Sequence, residues 1–366
     1  MGGVRHLYVH LPFCVHRCGY CDFVTSVGRE DEHLPYAEAL VAELERGRHV
    51  LADPLETVFV GGGTPTFMAP DALRAVLAAL PTADEVTVEA NPETVTPELA
   101  RLLLEHGVNR ISLGAQSFQP RLLETLERRA TPDDVRRSVA ILRDAGFDNV
   151  SLDLIYGIPD QTRDDLAHDL EEALALEPEH LSAYELEAKP GTRFTHKHGA
   201  ELERQADALE GYLDTVVDTM LAAGYRWYET ANFCRVDDRD LRARHNLGYW
   251  RARDYLGVGV GAVSTVDGRR TRNHPSVGGY IRALASGDHA PGEIEDLDEG
   301  TRAFERVMLG LRLDEPLPLT GLAATIDGSA LARLAEGGLL EQDGDAVTLT
   351  RRGRLLGDAV TAELLR

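Results

Sequence analysis

Three of the four cysteines lie within eight residues near the start of the chain, in CVHRCGYC (14–21); the other is Cys234. Cys14, Cys18 and Cys21 are too clustered to frame disulfides, and a tight group of soft thiolates in a reducing compartment signals a metal site. Structural zinc usually closes with four protein ligands arranged as two separated pairs. No second pair exists here, and His10 and His16, the nearest candidates for a fourth ligand, sit in or beside the same segment. A [4Fe–4S] cluster fits better: each thiolate takes one iron, and the fourth iron keeps an open position for an external ligand.

Other residues could act on such a ligand. Gly61, Gly62 and Gly63 end an apolar run, where they let backbone approach a bound group closely and offer it N–H groups, with Thr64 and Pro65 shaping the turn. Glu89 ends the alternating VTVEA and can accept from hydroxyls; Arg128 can pair with a carboxylate, and Asp153 can bind an amine or hydroxyl. Each has a plainer reading, as a tight turn, a solvated acid or a helix-face arginine. His245 in HNLGYW (245–250) carries an imidazole able to ligate metal, and Tyr249 and Trp250 offer flat apolar surface. The plain alternative is a histidine satisfied within an aromatic loop. Cys234 reads as a small buried thiol.

The elements that must position these residues follow from periodicity. Apolar, β-branched runs at 6–13, 57–63, 85–93, 110–118, 149–157 and 180–188 alternate with amphipathic stretches such as PDALRAVLAAL, PRLLETLERRA and PDDVRRSVAILRDAG. Six strand-then-helix units predict an α/β fold with a parallel sheet, a barrel or partial barrel. The unusual residues stand where strands hand over to loops, so the site belongs at the C-terminal strand ends. We divide the chain into residues 1–200, a partial barrel; 201–298, an extension carrying HNLGYW; and 299–366. In the last unit a helix, a helix and a hairpin resemble a winged helix. The acidic, turn-rich GEIEDLDEG (292–300) reads as a linker.

With 38 Lys plus Arg against 61 Asp plus Glu, the net charge is −23, and Lys is nearly absent. That surface suits high salt, where screening weakens self-repulsion, and it excludes nucleic acid as the expected partner. The start of the chain lacks a secretory pattern and no long apolar run occurs, so the expected location is cytoplasmic.

The C-x3-C-x2-C spacing, with Tyr20 before the last cysteine, resembles the radical S-adenosylmethionine (SAM) enzymes. There the open iron is chelated by the amino and carboxylate groups of SAM, and an electron from the cluster cleaves SAM to a 5′-deoxyadenosyl radical. YVHLPFC, VFVGGGTPT, EANPE, GVNRISLGAQSF, SLDLIYGIPDQT, HLSAYELEAKPGTRF and HNLGYWRARDYLGVGVGAVS narrow the resemblance. They are similar to the family that holds the oxygen-independent coproporphyrinogen III dehydrogenases and their relatives, the haem chaperones. The resemblance implies a radical SAM partial (β/α)6 TIM-type barrel with a C-terminal helical, winged-helix-like region. It implies that Tyr8, the Gly61–Gly63 loop, Thr64 and Glu89 contact SAM, and that Tyr20, Gln116, Arg128 and Asp153 match contacts to a second SAM in the dehydrogenase branch. Phe23 stands where that branch has an additional cysteine, and CDF is the haem-chaperone pattern. In that branch the H-N-x-x-Y-W motif is the proposed haem site, which gives His245 the role of iron ligand and makes haem the cargo. The implied partners are acceptor haemoproteins such as respiratory cytochromes, a transient membrane-protein contact and a second copy in a homodimer. Whether SAM is cleaved is left open. Two alternatives stand beside this reading: radical decarboxylation of coproporphyrinogen III or other radical tetrapyrrole chemistry, and a zinc-stabilised interaction module.

Overall fold

The computed structural model describes residues 3–189 and 193–365; residues 190–192 of the HLSAYELEAKPGTRF stretch fall outside the described residues. The six expected strands are present as β1 (His6–Leu11), β2 (Leu55–Gly62), β3 (Ala83–Ala90), β4 (Arg110–Gln116), β5 (Val150–Tyr156) and β6 (His180–Glu185). They pair in that order, all parallel, each followed by at least one helix. Capping fixes where several of those helices begin. Thr131 and Thr162 each form a reciprocal box with an aspartate three residues on, at the heads of Pro132–Ala145 and Arg163–Ala175.

A side-chain period of two divides the sheet chemically. Leu7, Val9, Val58, Val60, Val86, Val88, Ile111, Leu113, Leu152 and Leu154 all belong to the main apolar core. The intervening positions carry polar groups: His6, Thr57, Glu89, Ser112, Asp153 and Ser182. Apolar burial thus holds the sheet together from one side and leaves the opposite face free for chemistry.

Residues beyond 200 extend this same sheet at both edges. Leu256–Val258 joins β1 in parallel, while Asn232–Arg235 runs antiparallel to β6 and pairs in turn with Tyr225–Trp227. The result is an open nine-stranded sheet. A smaller apolar cluster, with Val307, Leu311, Leu334, Val347 and Leu364, forms a second core near the end of the chain. Around it lie the helix Glu299–Gly310, the helix Gly328–Glu336, the hairpin Leu340–Leu349 and the helices Arg351–Leu355 and Gly357–Leu364. Among the described residues no helix is long and apolar enough to cross a membrane.

Two local expectations are corrected. GEIEDLDEG is not a linker: Gly292–Asp296 is a strand antiparallel to Arg269–Asn273. Its acids face arginines, with Asp296 on Arg269 at 2.9 Å and Glu295 near Arg270 at 3.7 Å. Charge pairing across the ladder stabilises a segment whose own composition suggests a turn. PRLLETLERRA is not one helix either; it stops at Thr125, and Glu127 takes a φ of 58°. The break carries Arg128 off the helix surface and into the interior.

Candidate functional site

The C-terminal strand ends open onto a cavity of about 1300 Å³. Of the residues singled out from sequence, Cys14, Cys18, Tyr20, Cys21, Gly62, Gly63, Thr64, Glu89, Gln116, Arg128 and Asp153 line it, and Gly61 sits in the strand just behind. Polar positions on β3, β4, β5 and β6 converge there because parallel strands deliver their C-terminal ends to one face.

The cysteine loop is tied to the sheet at two points. Thr64 Oγ1 donates to Cys14 Sγ at 3.6 Å and Arg128 Nη1 to Cys18 Sγ at 3.7 Å. Burial pushes the Cys14 thiol up to about 11 and raises Cys21 as well, so bare thiolates are disfavoured and a bound cationic centre would compensate them. Among the described residues, no group of three or more His, Cys, Asp and Glu side chains is placed to hold a single metal ion. His10 cannot complete a zinc site without giving up one of its two hydrogen bonds, since its ring nitrogens meet the Tyr8 hydroxyl at 2.9 Å and the Val24 carbonyl at 2.8 Å. Three thiols on one loop, facing a roomy cavity, suit a larger cluster that keeps an open corner.

The glycine run has a cause within the protein. A Cβ at Gly63 would come within 2.6 Å of the Pro12 carbonyl oxygen, and one at Gly62 within 2.6 Å of the His10 ring. The N–H groups of Gly62 and Gly63 are also committed, to Glu89 Oε2 at 3.0 Å and to the Leu11 carbonyl at 2.8 Å. These two N–H groups are therefore not available to a ligand carboxylate, contrary to the expectation from sequence; their work is to let β2 lie close against the chain entering the cysteine loop.

Glu89 is enclosed, and burial lifts its carboxyl to about 7, with Asp153 adding repulsion. Asp153 is raised by burial too, although Ser112 Oγ donates to it at 2.8 Å. Arg128 is not a solvated helix-face residue. Its Nη2 donates to Asn91 Oδ1 at 2.8 Å and to the Gly114 carbonyl at 2.9 Å, while Nε has no partner. Gln116 sits at a β-bulge with a φ of 67°, a left-handed conformation that turns its side chain out of the regular ladder. Sequence reasoning passed over Asn91, which donates to Thr64 Oγ1 at 3.0 Å and so joins the glycine loop to Arg128. Its place between Glu89 and a proline in EANPE was the available signal.

Tyr8 does not line the cavity; it stacks on Phe59 with its hydroxyl on His10. HNLGYW forms the short helix Arg244–Trp250, which buried Glu85 fastens to the sheet by accepting the N–H groups of Arg244 and His245. The helix splits the motif. Asn246, Tyr249 and Trp250 face the cavity, while His245 points into the core. Its Nδ1 meets Thr57 Oγ1 at 2.7 Å and its Nε2 the Tyr249 hydroxyl at 2.9 Å. Thr57 continues to His6 Nδ1 at 2.9 Å, forming a buried polar chain. Burial lowers His245 to about 3, which keeps the imidazole neutral. The satisfied-histidine alternative is the arrangement found. Cys234 lies in a small cluster with Tyr228, Leu241, Leu247 and Leu313, as a core thiol.

Comparison with known proteins identifies the scaffold. The Radical SAM superfamily matches residues 8–173, and the HemN C-terminal domain matches residues 297–356. "Heme chaperone HemW" of Mycobacterium tuberculosis is 38% identical over 98% of this chain and 94% of its own. The protein of that name from Bacillus subtilis is 35% identical over 99% of both chains. The solved structure of Escherichia coli coproporphyrinogen III oxidase (HemN), described as a radical SAM enzyme, superposes with a TM-score of 0.80. It covers 99% of this chain and 90% of its own at 22% identity, a likeness of fold. With its cysteine loop at the strand ends and its relatives matched nearly end to end, the chain belongs to the HemW family of radical SAM proteins.

Proposed function

We propose that this protein binds haem and delivers it to an acceptor haemoprotein. The observation that carries the proposal is the near full-length likeness to curated relatives named heme chaperone HemW. Phe23 agrees with it: this residue, 65% exposed and on the cavity wall, stands where the dehydrogenase branch has a further cysteine. In this reading Cys14, Cys18 and Cys21 hold a [4Fe–4S] cluster. Glu89, Gln116, Arg128 and Asp153, with Tyr20, border the space for SAM, and Asp153 and Glu89 offer acceptors to its hydroxyl or amine groups. The cluster, when bound, supplies an iron with an open position and a source of one electron. Haem occupies the end of the cavity walled by Tyr249 and Trp250, whose rings present apolar surface to a macrocycle. His245 holds the Tyr249 ring from behind.

The test is an anaerobic haem titration of the cluster-loaded protein, followed by mixing with an apo-cytochrome. Saturation near one haem per chain, followed by transfer to the acceptor, is expected. Non-saturating uptake, or SAM-dependent decarboxylation of coproporphyrinogen III without haem transfer, overturns the reading in favour of the enzyme.

A further inference from the structure

The cavity does not end at the sheet. Its outer wall comes from the last seventy residues, where Phe304, Met308 and Leu356 are exposed apolar side chains facing the same space as Trp250. Two arginines stand among them. Arg312 lies over the Trp250 ring, 5.1 Å from its centroid, and its one ion pair among the described residues is a loose contact at 3.6 Å with Asp358, which is fully exposed. Among the described residues no side-chain hydrogen bond engages its guanidinium. Arg354 is packed on Trp227 at 3.7 Å and donates through Nη1 to the Trp227 carbonyl at 2.7 Å, leaving Nε and Nη2 without partners.

Nearby arginines show what that free edge is suited to. Arg226 holds Asp314 through Nε and Nη2 at 2.7 and 3.0 Å. Arg251 holds Glu315 through the same two atoms at 3.1 and 2.7 Å. Arg312 and Arg354, like Arg128 deeper in the cavity, stand on its wall without a firm carboxylate partner, in a chain with 61 acidic residues against 38 basic ones. The one buried acid at hand, Glu229, accepts from Asn232 and from the Ala231 N–H instead. Burial lowers Arg354 to about 10, outweighing the attraction of the nearby Asp314 and Glu229 carboxylates.

We propose that Arg312 and Arg354 form a carboxylate-binding subsite at the seam between the sheet and the C-terminal unit, receiving the propionate groups of the tetrapyrrole while Trp250, Met308 and Phe304 cover its apolar part. This rests on the haem-binding reading above and adds which edge of the cargo is recognised. Arginine pairs with carboxylates through two parallel hydrogen bonds, so it distinguishes the free diacid from an uncharged ester of equal shape. The C-terminal unit then acts as a reader of the cargo.

The experiment compares ferric protoporphyrin IX with its dimethyl ester by Soret titration of cluster-loaded wild type, Arg312→Gln and Arg354→Gln. Wild type is expected to prefer the diacid by roughly tenfold or more, as two charge-assisted hydrogen bonds imply. Arg312→Gln, a partly exposed position that can be replaced without disturbing the core, is expected to lose most of that preference while its affinity for the ester stays unchanged. Arg354→Gln is expected to reduce the preference in the same sense. Equal wild-type affinity for both compounds, or a preference intact in both variants, overturns the subsite and leaves haem binding standing. Failure of wild type to bind either compound overturns the haem reading and the subsite together.

Discussion

Replacing Glu89 by Gln is expected to stabilise the protein at alkaline pH. The Glu89 carboxyl is enclosed, with one hydrogen bond from the Gly62 N–H and Asp153 nearby, and its pKa rises from 4.5 to about 7. A carboxyl whose pKa is raised on folding favours the native state below its unfolded value, where both states are protonated. That advantage is lost as pH climbs to the folded value, because the unfolded chain ionises first. The gap between 4.5 and about 7, at roughly 1.4 kcal/mol per pH unit, makes the penalty about 3 kcal/mol above pH 7. Gln keeps the shape and still accepts from Gly62, so it escapes the penalty. Urea unfolding of cluster-free protein, wild type beside Glu89→Gln, should give similar stabilities near pH 4.5 and a gain of about 3 kcal/mol for the variant at pH 8. The same variant should bind SAM more weakly, since a neutral amide attracts SAM's cationic groups less, and so trades function for stability. Parallel pH profiles for the two proteins, or a variant less stable at pH 8, would refute the argument that burial dominates at this position.

Gly63→Ala is expected to destabilise the fold by about 1–3 kcal/mol and to lower iron uptake, because its Cβ meets the Pro12 carbonyl oxygen at 2.6 Å next to the cysteine loop. Gly199→Ala, which faces open space on a helix, is the control for thermal unfolding and should be neutral or slightly stabilising. Thr57→Val removes the hydroxyl shared by His6 and His245 and leaves two buried ring nitrogens unpaired, a loss of about 2 kcal/mol or more. Thr57→Ser, which keeps the hydroxyl, should restore most of that stability in the same urea titration.

Much of the scaffold was legible in the residue order. Six apolar runs separated by amphipathic stretches dictate parallel βαβ units, because each strand must bury one face under a helix, and the observed strands fall within a few residues of those runs. The cysteine spacing was legible for a similar reason: three ligands on one loop are fixed relative to one another by short-range geometry alone. Periodicity misled where a local pattern met a distant partner. GEIED reads as a turn until the arginines of Arg269–Asn273 lie alongside it, and LETLERRA reads as continuous helix until Glu127 turns the chain so that Arg128 can reach Asn91 and Gly114.

The sequence by itself determined the fold class, the three-thiol loop and the strand ends that gather around it, since these depend on spacing and periodicity within short windows. Only the tertiary structure decided which atoms are left over for a ligand. The N–H groups of Gly62 and Gly63, which looked available, are spent inside the protein, and His245 is satisfied by Thr57 and Tyr249. The unsatisfied donors of Arg354, more than a hundred residues further along the chain, lie beside the same cavity. Hydrogen-bond saturation is a property of three-dimensional neighbours, and partners as far apart as Leu11 and Gly63 or Thr57 and His245 leave no mark on local sequence.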